Sequence, residues 1–162
     1  MHKKSIHDNL AYELKDIILG GQDGLVNILG LVLGVAAAVD ETRIIIISGL
    51  AANFAESLSM AAVAYTHTKA ETDYFRNYLK KSTITELSRK TKSSPMKSAL
   101  VVGFSSMVGS IIPLLPFFLL DIKPGMIFSV ILSVSCLYIL GALNAKFTNG
   151  NLRKSGFQLA AI

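Results

Sequence analysis

The chain has 162 residues, 51% of them hydrophobic and only 17% charged, with a net charge of +5 and a mean hydropathy of +0.50. An average soluble domain carries roughly 25% charged residues, so this surplus of apolar side chains needs an apolar solvent as well as a core. The single cysteine, Cys136, excludes an internal disulfide, and no Cys/His spacing matches a structural zinc site.

A membrane-spanning helix needs about 20 largely apolar residues, and four such runs occur. Residues 1–16, with Lys3, Lys4 and Lys15, precede the first run, residues 17–39. That run starts too far in and continues too long for a cleavable signal, so it is expected in the mature protein. A turn at residues 40–43 leads to the second run, residues 44–65, and the two form an antiparallel hairpin. Residues 66–97 are the one substantial extramembrane piece; their first half has no helix breaker and should continue the second span as a helix. Ser93, Ser94 and Pro95 mark the stop before the third run, residues 98–120, in which Pro113 and Pro116 remove backbone donors and should kink the helix. A turn at residues 121–124 gives a second hairpin with the fourth run, residues 125–145. The remainder, residues 146–162, reads as a cytoplasmic tail whose apolar end, from Gly156, looks like the opening of a truncated fifth span.

The basic residues orient this arrangement. Fourteen of the sixteen Lys and Arg fall before span one, between spans two and three, or after span four; only Arg43 and Lys123 occupy the two short turns. This is the positive-inside pattern, with a cytoplasmic N-terminus. A basic loop beside a bilayer suits anionic lipid, and no nucleic-acid partner is expected. The fold class is therefore an all-α, polytopic helical membrane protein.

An ionisable side chain at mid-span costs about 3 kcal/mol on insertion scales, so Asp23 and Glu56 each require a reason. Asp23 and Asn27 are four apart and share a face of span one; Asn53, Glu56 and Met60 follow one stripe of span two. Facing each other across the hairpin, they would offer two carboxylates, two amide oxygens and a thioether. Oxygen ligands suit hard divalent cations, whereas a thioether favours softer late first-row metals, so the mixture fits Fe²⁺ and, behind it, Mn²⁺. Such carboxylates must lose protons to bind metal, which supplies a route to metal/proton exchange. The metal is cargo, and no resident cofactor is expected.

Other features are weaker signals. Gly20 with Gly24 and Gly30 with Gly34 form small-xxx-small pairs that permit close helix approach. His67 and Glu71, four apart beyond span two, have a spacing that chelates metal, although a solvated face is the commoner meaning. Cys136 reads as a small apolar residue. No phosphate-binding glycine loop, nucleophile elbow or paired-histidine motif points to an enzyme.

Four segments in order, DIILGGQDGLVNILGLVLGV, SMAAVAYTHTKAETDYF, GSIIPLLPFFLL and LGALNAKFTNGNLRKSGFQ, resemble the vacuolar iron transporter family. The resemblance runs from about Asp16 to the C-terminus. It implies a five-helix homodimer that exports Fe²⁺, often Mn²⁺ too, from the cytosol in exchange for protons. Asp23 matches the family's intramembrane aspartate, Met60 its pathway methionine, and Glu71 the glutamate near the cytoplasmic end of the second helix.

Three departures stand beside that resemblance. The plant iron carriers have a glutamate where this chain has Ala52, with Glu56 about one turn further along the same stripe. They also insert a glutamate- and methionine-rich domain between spans two and three, where this chain has a short basic loop. In the family a fifth span begins near the motif represented here by Ser155 and Gly156, and the sequence is expected to be either a fragment or a variant without that helix. The alternatives are a non-transporting membrane scaffold or accessory subunit, and a carrier for another cation. A prokaryotic cell membrane is favoured over a vacuolar one.

Overall fold

The computed structural model describes residues 2–79 and 94–147. The expected tail and fifth-span opening at 148–162, and most of the basic loop, lie outside the described residues. Five α-helices occur among the described residues: α1 (His2–Ala38), α2 (Thr42–Leu79), α3 (Pro95–Ile111), α4 (Leu115–Leu119) and α5 (Ile122–Phe147). Among the described residues there is no strand. Four segments among the described residues are long and apolar enough to cross a bilayer: Glu13–Ala38, Thr42–Tyr74, Pro95–Leu119 and Ile122–Ala145. The protein is a polytopic α-helical membrane protein.

The boundaries follow local chemistry. Between α1 and α2, the Val39 and Ile44 amides donate to the carbonyls of Val35 and Glu41, closing a short turn. As expected, α2 runs without a break past the apolar stretch to Leu79. Pro95 opens α3 in the first turn, where its missing N–H would have no partner in any case, and Ser94 before it is extended. Pro124 is likewise accommodated in the first turn of α5, so the second connection shrinks to Leu120 and Asp121. The predicted kink in span three takes the form of a 3₁₀ turn at Ile112–Leu114, which separates α3 from α4. The Ile112 amide reaches Gly109 and the Leu115 amide reaches Ile112, tighter pairings that compensate for the donors missing at Pro113 and Pro116. From α5, the Ser129 hydroxyl donates to the Pro113 carbonyl at 2.7 Å, tying the break to its neighbour.

Packing centres on α3. Over half of its spanning window, 56%, is buried, against 22% for α2, because both α1 and α2 lie against it. Its buried face is built from small residues: Ser98, Ala99, Val102, Gly103, Ser106, Gly109 and Ser110. Gly20 and Gly24 of α1 sit directly on this face, Gly20 against Val102 and Ser105, Gly24 against Ser106 and Ser110. At such separations Cα–H groups meet carbonyl and hydroxyl oxygens, and dispersion between the two backbones replaces side-chain interdigitation. The largest apolar cluster, Ile28, Val32, Ala36, Ile45, Leu114 and Phe117, lies toward the end of the bundle where the two short connections are. Large apolar side chains such as Phe54, Phe104, Leu119 and Ile139 point outward, as bilayer-facing residues must.

Candidate metal-binding site

Asp23 lies ten residues inside the first span and Glu56 fourteen inside the second, so both sit well within the apolar zone. At the N-terminal side of this stretch, Glu13 pairs with Lys97 on α3, and the Ser98 hydroxyl donates to Asp16 at 2.7 Å.

The hairpin brings the two polar faces together. The Asn27 amide nitrogen on α1 donates to Glu56 Oε1 on α2 at 2.8 Å. Asp23, one turn before Asn27, is also within hydrogen-bonding and electrostatic reach of Glu56. Glu56 thus faces two side chains of the same α1 face. Asp23 and Glu56 are half-buried and Asn27 is exposed, so the group opens onto the outer surface of the α1–α2 hairpin.

Asn53 does not join it. Its amide nitrogen donates to the Met107 carbonyl on α3 at 3.3 Å, and its Oδ1 accepts from the Ser57 hydroxyl at 3.1 Å. Three residues along an α-helix rotate by about 60° short of a full turn, enough for α2 to direct Asn53 at α3 and Glu56 at α1. Asn53 is only 3% exposed, and its amide braces α2 on α3. Met60, one turn beyond Glu56, is half-buried, while His67 and Glu71 are exposed on the extension of α2. In that stretch the Lys69 ammonium lies over the Tyr65 ring, 5.9 Å from its centroid. Among the described residues no three His, Cys, Asp or Glu side chains converge on one point.

Among the polar contacts that escaped sequence reasoning, two are instructive. The Ser98–Asp16 bond joins residues 82 apart and has no local signature. Ser57, four residues after Asn53, could have been found as an i, i+4 partner on the same helix.

A bundle of helices long and apolar enough to span a bilayer, with two carboxylates and an amide brought together between the first two, defines a polytopic α-helical membrane protein. The chain belongs to the VIT family, whose profile matches residues 14–89 and 80–162. It is 33% identical over 156 residues to an uncharacterised protein of Methanocaldococcus jannaschii, covering 90% of this chain and 80% of that one. It is 29% identical over 105 residues to vacuolar iron transporter homolog 1 of Arabidopsis thaliana, covering 65% of this chain and 52% of that protein, about half its length. With vacuolar iron transporter 1 of the same plant the identity is 23% over 211 residues, covering 99% of this chain and 84% of the relative. That alignment is longer than the present chain, so the relative carries residues with no counterpart here.

Proposed function

We propose that the chain carries divalent transition-metal ions, Fe²⁺ and also Mn²⁺, out of the cytosol in exchange for protons, and that it works as a homodimer. The reading rests above all on Glu56 held beside Asp23 and Asn27 within the membrane. Two carboxylates placed together at that depth repel each other and cost insertion energy, and a bound cation or proton relieves both penalties. Asp23 and Glu56 supply hard oxygen ligands, and Met60, a turn further toward the cytoplasm, supplies the softer atom that distinguishes Fe²⁺ from Mg²⁺ or Ca²⁺. Because the carboxylates bind metal only when deprotonated, metal arrival releases protons and metal departure takes them up. Glu71, on the exposed extension of α2, stands at the cytoplasmic approach to this path.

The dimer reading is supported by what one copy leaves open. Gly30 and Gly34 continue the α1 face of Asn27, and nothing lies within 4 Å of the side chain either could carry. A second copy against this face would shield the polar group from lipid and double its ligands. The relatives' names, vacuolar iron transporter among them, support the choice of metal. The archaeal relative and the positive-inside pattern support a prokaryotic cell membrane with the N-terminus cytoplasmic.

The test is Fe²⁺ entry into proteoliposomes containing the full chain, read by a trapped fluorescent chelator with and without an acidic lumen. Uptake stimulated by the gradient and lost in Asp23→Ala supports the carrier. The same Asn27–Glu56 bond would also serve a scaffold as helix glue, and the absence of any flux would favour that second reading.

A further inference from the structure

We propose that Asn27 is a positioning residue: its amide fixes the Glu56 carboxylate so that the remaining oxygen meets the cation beside Asp23. This rests on the carrier reading of the site.

An ionised carboxylate only accepts hydrogen bonds, so the group that faces it from Asn27 must be the amide nitrogen, at 2.8 Å from Oε1. An amide nitrogen has no lone pair to give a metal, so in this orientation Asn27 presents no ligand atom toward Glu56. The bond instead holds Oε1 of the carboxylate that Asp23 also approaches. A glutamate has three side-chain torsions, and a half-buried one at a bilayer-facing cleft would otherwise sample several rotamers. A charge-assisted bond from the facing helix selects one of them before the cation arrives.

The two asparagines show the difference between bracing and positioning. Asn53 spends both ends of its amide inside the α2–α3 seam, on Met107 and Ser57, and is buried there. Asn27 is exposed, and its amide nitrogen donates to a carboxylate on the facing helix. Removal of Asn53 would loosen the fold, whereas removal of Asn27 frees one side chain of the site.

The experiment measures Mn²⁺ uptake in proteoliposomes, with KM and kcat separated, and melting in detergent for the parent, Asn27→Leu, Asn27→Gln and Glu56→Gln. Leucine has nearly the same size and is compatible with this exposed face whether lipid or a second copy meets it, so Asn27→Leu retains the fold; glutamine restores an amide donor on a longer arm. The expected result is a KM raised roughly tenfold in Asn27→Leu, with kcat within about twofold and melting unchanged, and a partial return of KM in Asn27→Gln. An unchanged KM in Asn27→Leu, or equal losses in the leucine and glutamine variants, overturns the positioning role. Glu56→Gln separates the two levels: if it transports like the parent, the carrier reading of Glu56 falls, and if it fails while Asn27→Leu is normal, only the present inference falls.

Discussion

Gly24→Ala tests the packing that holds α1 on α3. A Cβ built there would stand 2.5 Å from Ser110 Oγ and 2.9 Å from Ser106 Oγ, and closer still to the Ser106 carbonyl, whereas ordinary contact begins at 3.4 Å. The hydroxyls can rotate, but the carbonyl belongs to the α3 backbone and cannot. Relief therefore requires α1 to lift by roughly 1 Å, a gap that forfeits a quarter to a half of each dispersion contact along the seam. Together with residual strain, a loss of about 2–3 kcal/mol is expected. Gly30→Ala is the matched control: it adds the same methyl to the same helix where nothing lies within 4 Å, and alanine's better helix propensity makes it neutral or mildly stabilising. Thermal or steric-trap unfolding in lipid micelles under monomeric conditions reads both. If Gly24→Ala melts with Gly30→Ala, the close seam between α1 and α3 does not hold the protein together.

Three further outcomes are expected. Ser129→Ala removes the donor to the Pro113 carbonyl, leaving a buried acceptor unpaired at the 3₁₀ turn, and should cost about 1–3 kcal/mol in the same unfolding assay. Met60→Leu should lower Fe²⁺ uptake several-fold while leaving binding of a hard cation such as Ca²⁺ nearly intact, as competition measurements in proteoliposomes would show. Carboxylates bind metal only when deprotonated, so the KM for Mn²⁺ should fall as pH rises, and in Glu56→Gln that dependence should weaken.

The spans and their order were readable because hydropathy over some twenty residues is a one-dimensional property, and so were the helix starts at Pro95 and the break near Pro113, where a missing N–H acts locally. The facing of Asp23 and Asn27 toward Glu56 followed from helical periodicity and a turn too short to allow anything but an antiparallel neighbour. Periodicity could not say how a stripe is shared when two helices abut. Asn53 and Glu56 differ by a modest rotation, and the position of α3, set by residues more than fifty places away, decides that one braces and the other stays at the cleft. The glycines carry the same limit. Small residues at Gly20 and Gly24 announce a close approach without naming the helix that approaches, and that helix is α3.

The central place of α3 also bears on how the protein is made. The chain enters the membrane from its N-terminus, so α1 and α2 are inserted as a hairpin before the helix on which both are seated. Until α3 arrives, Gly20, Gly24 and Asn53 face lipid with their polar or backbone surfaces uncovered. Membrane helices insert first and pack afterwards. The third helix therefore acts as the template on which the first hairpin is finished.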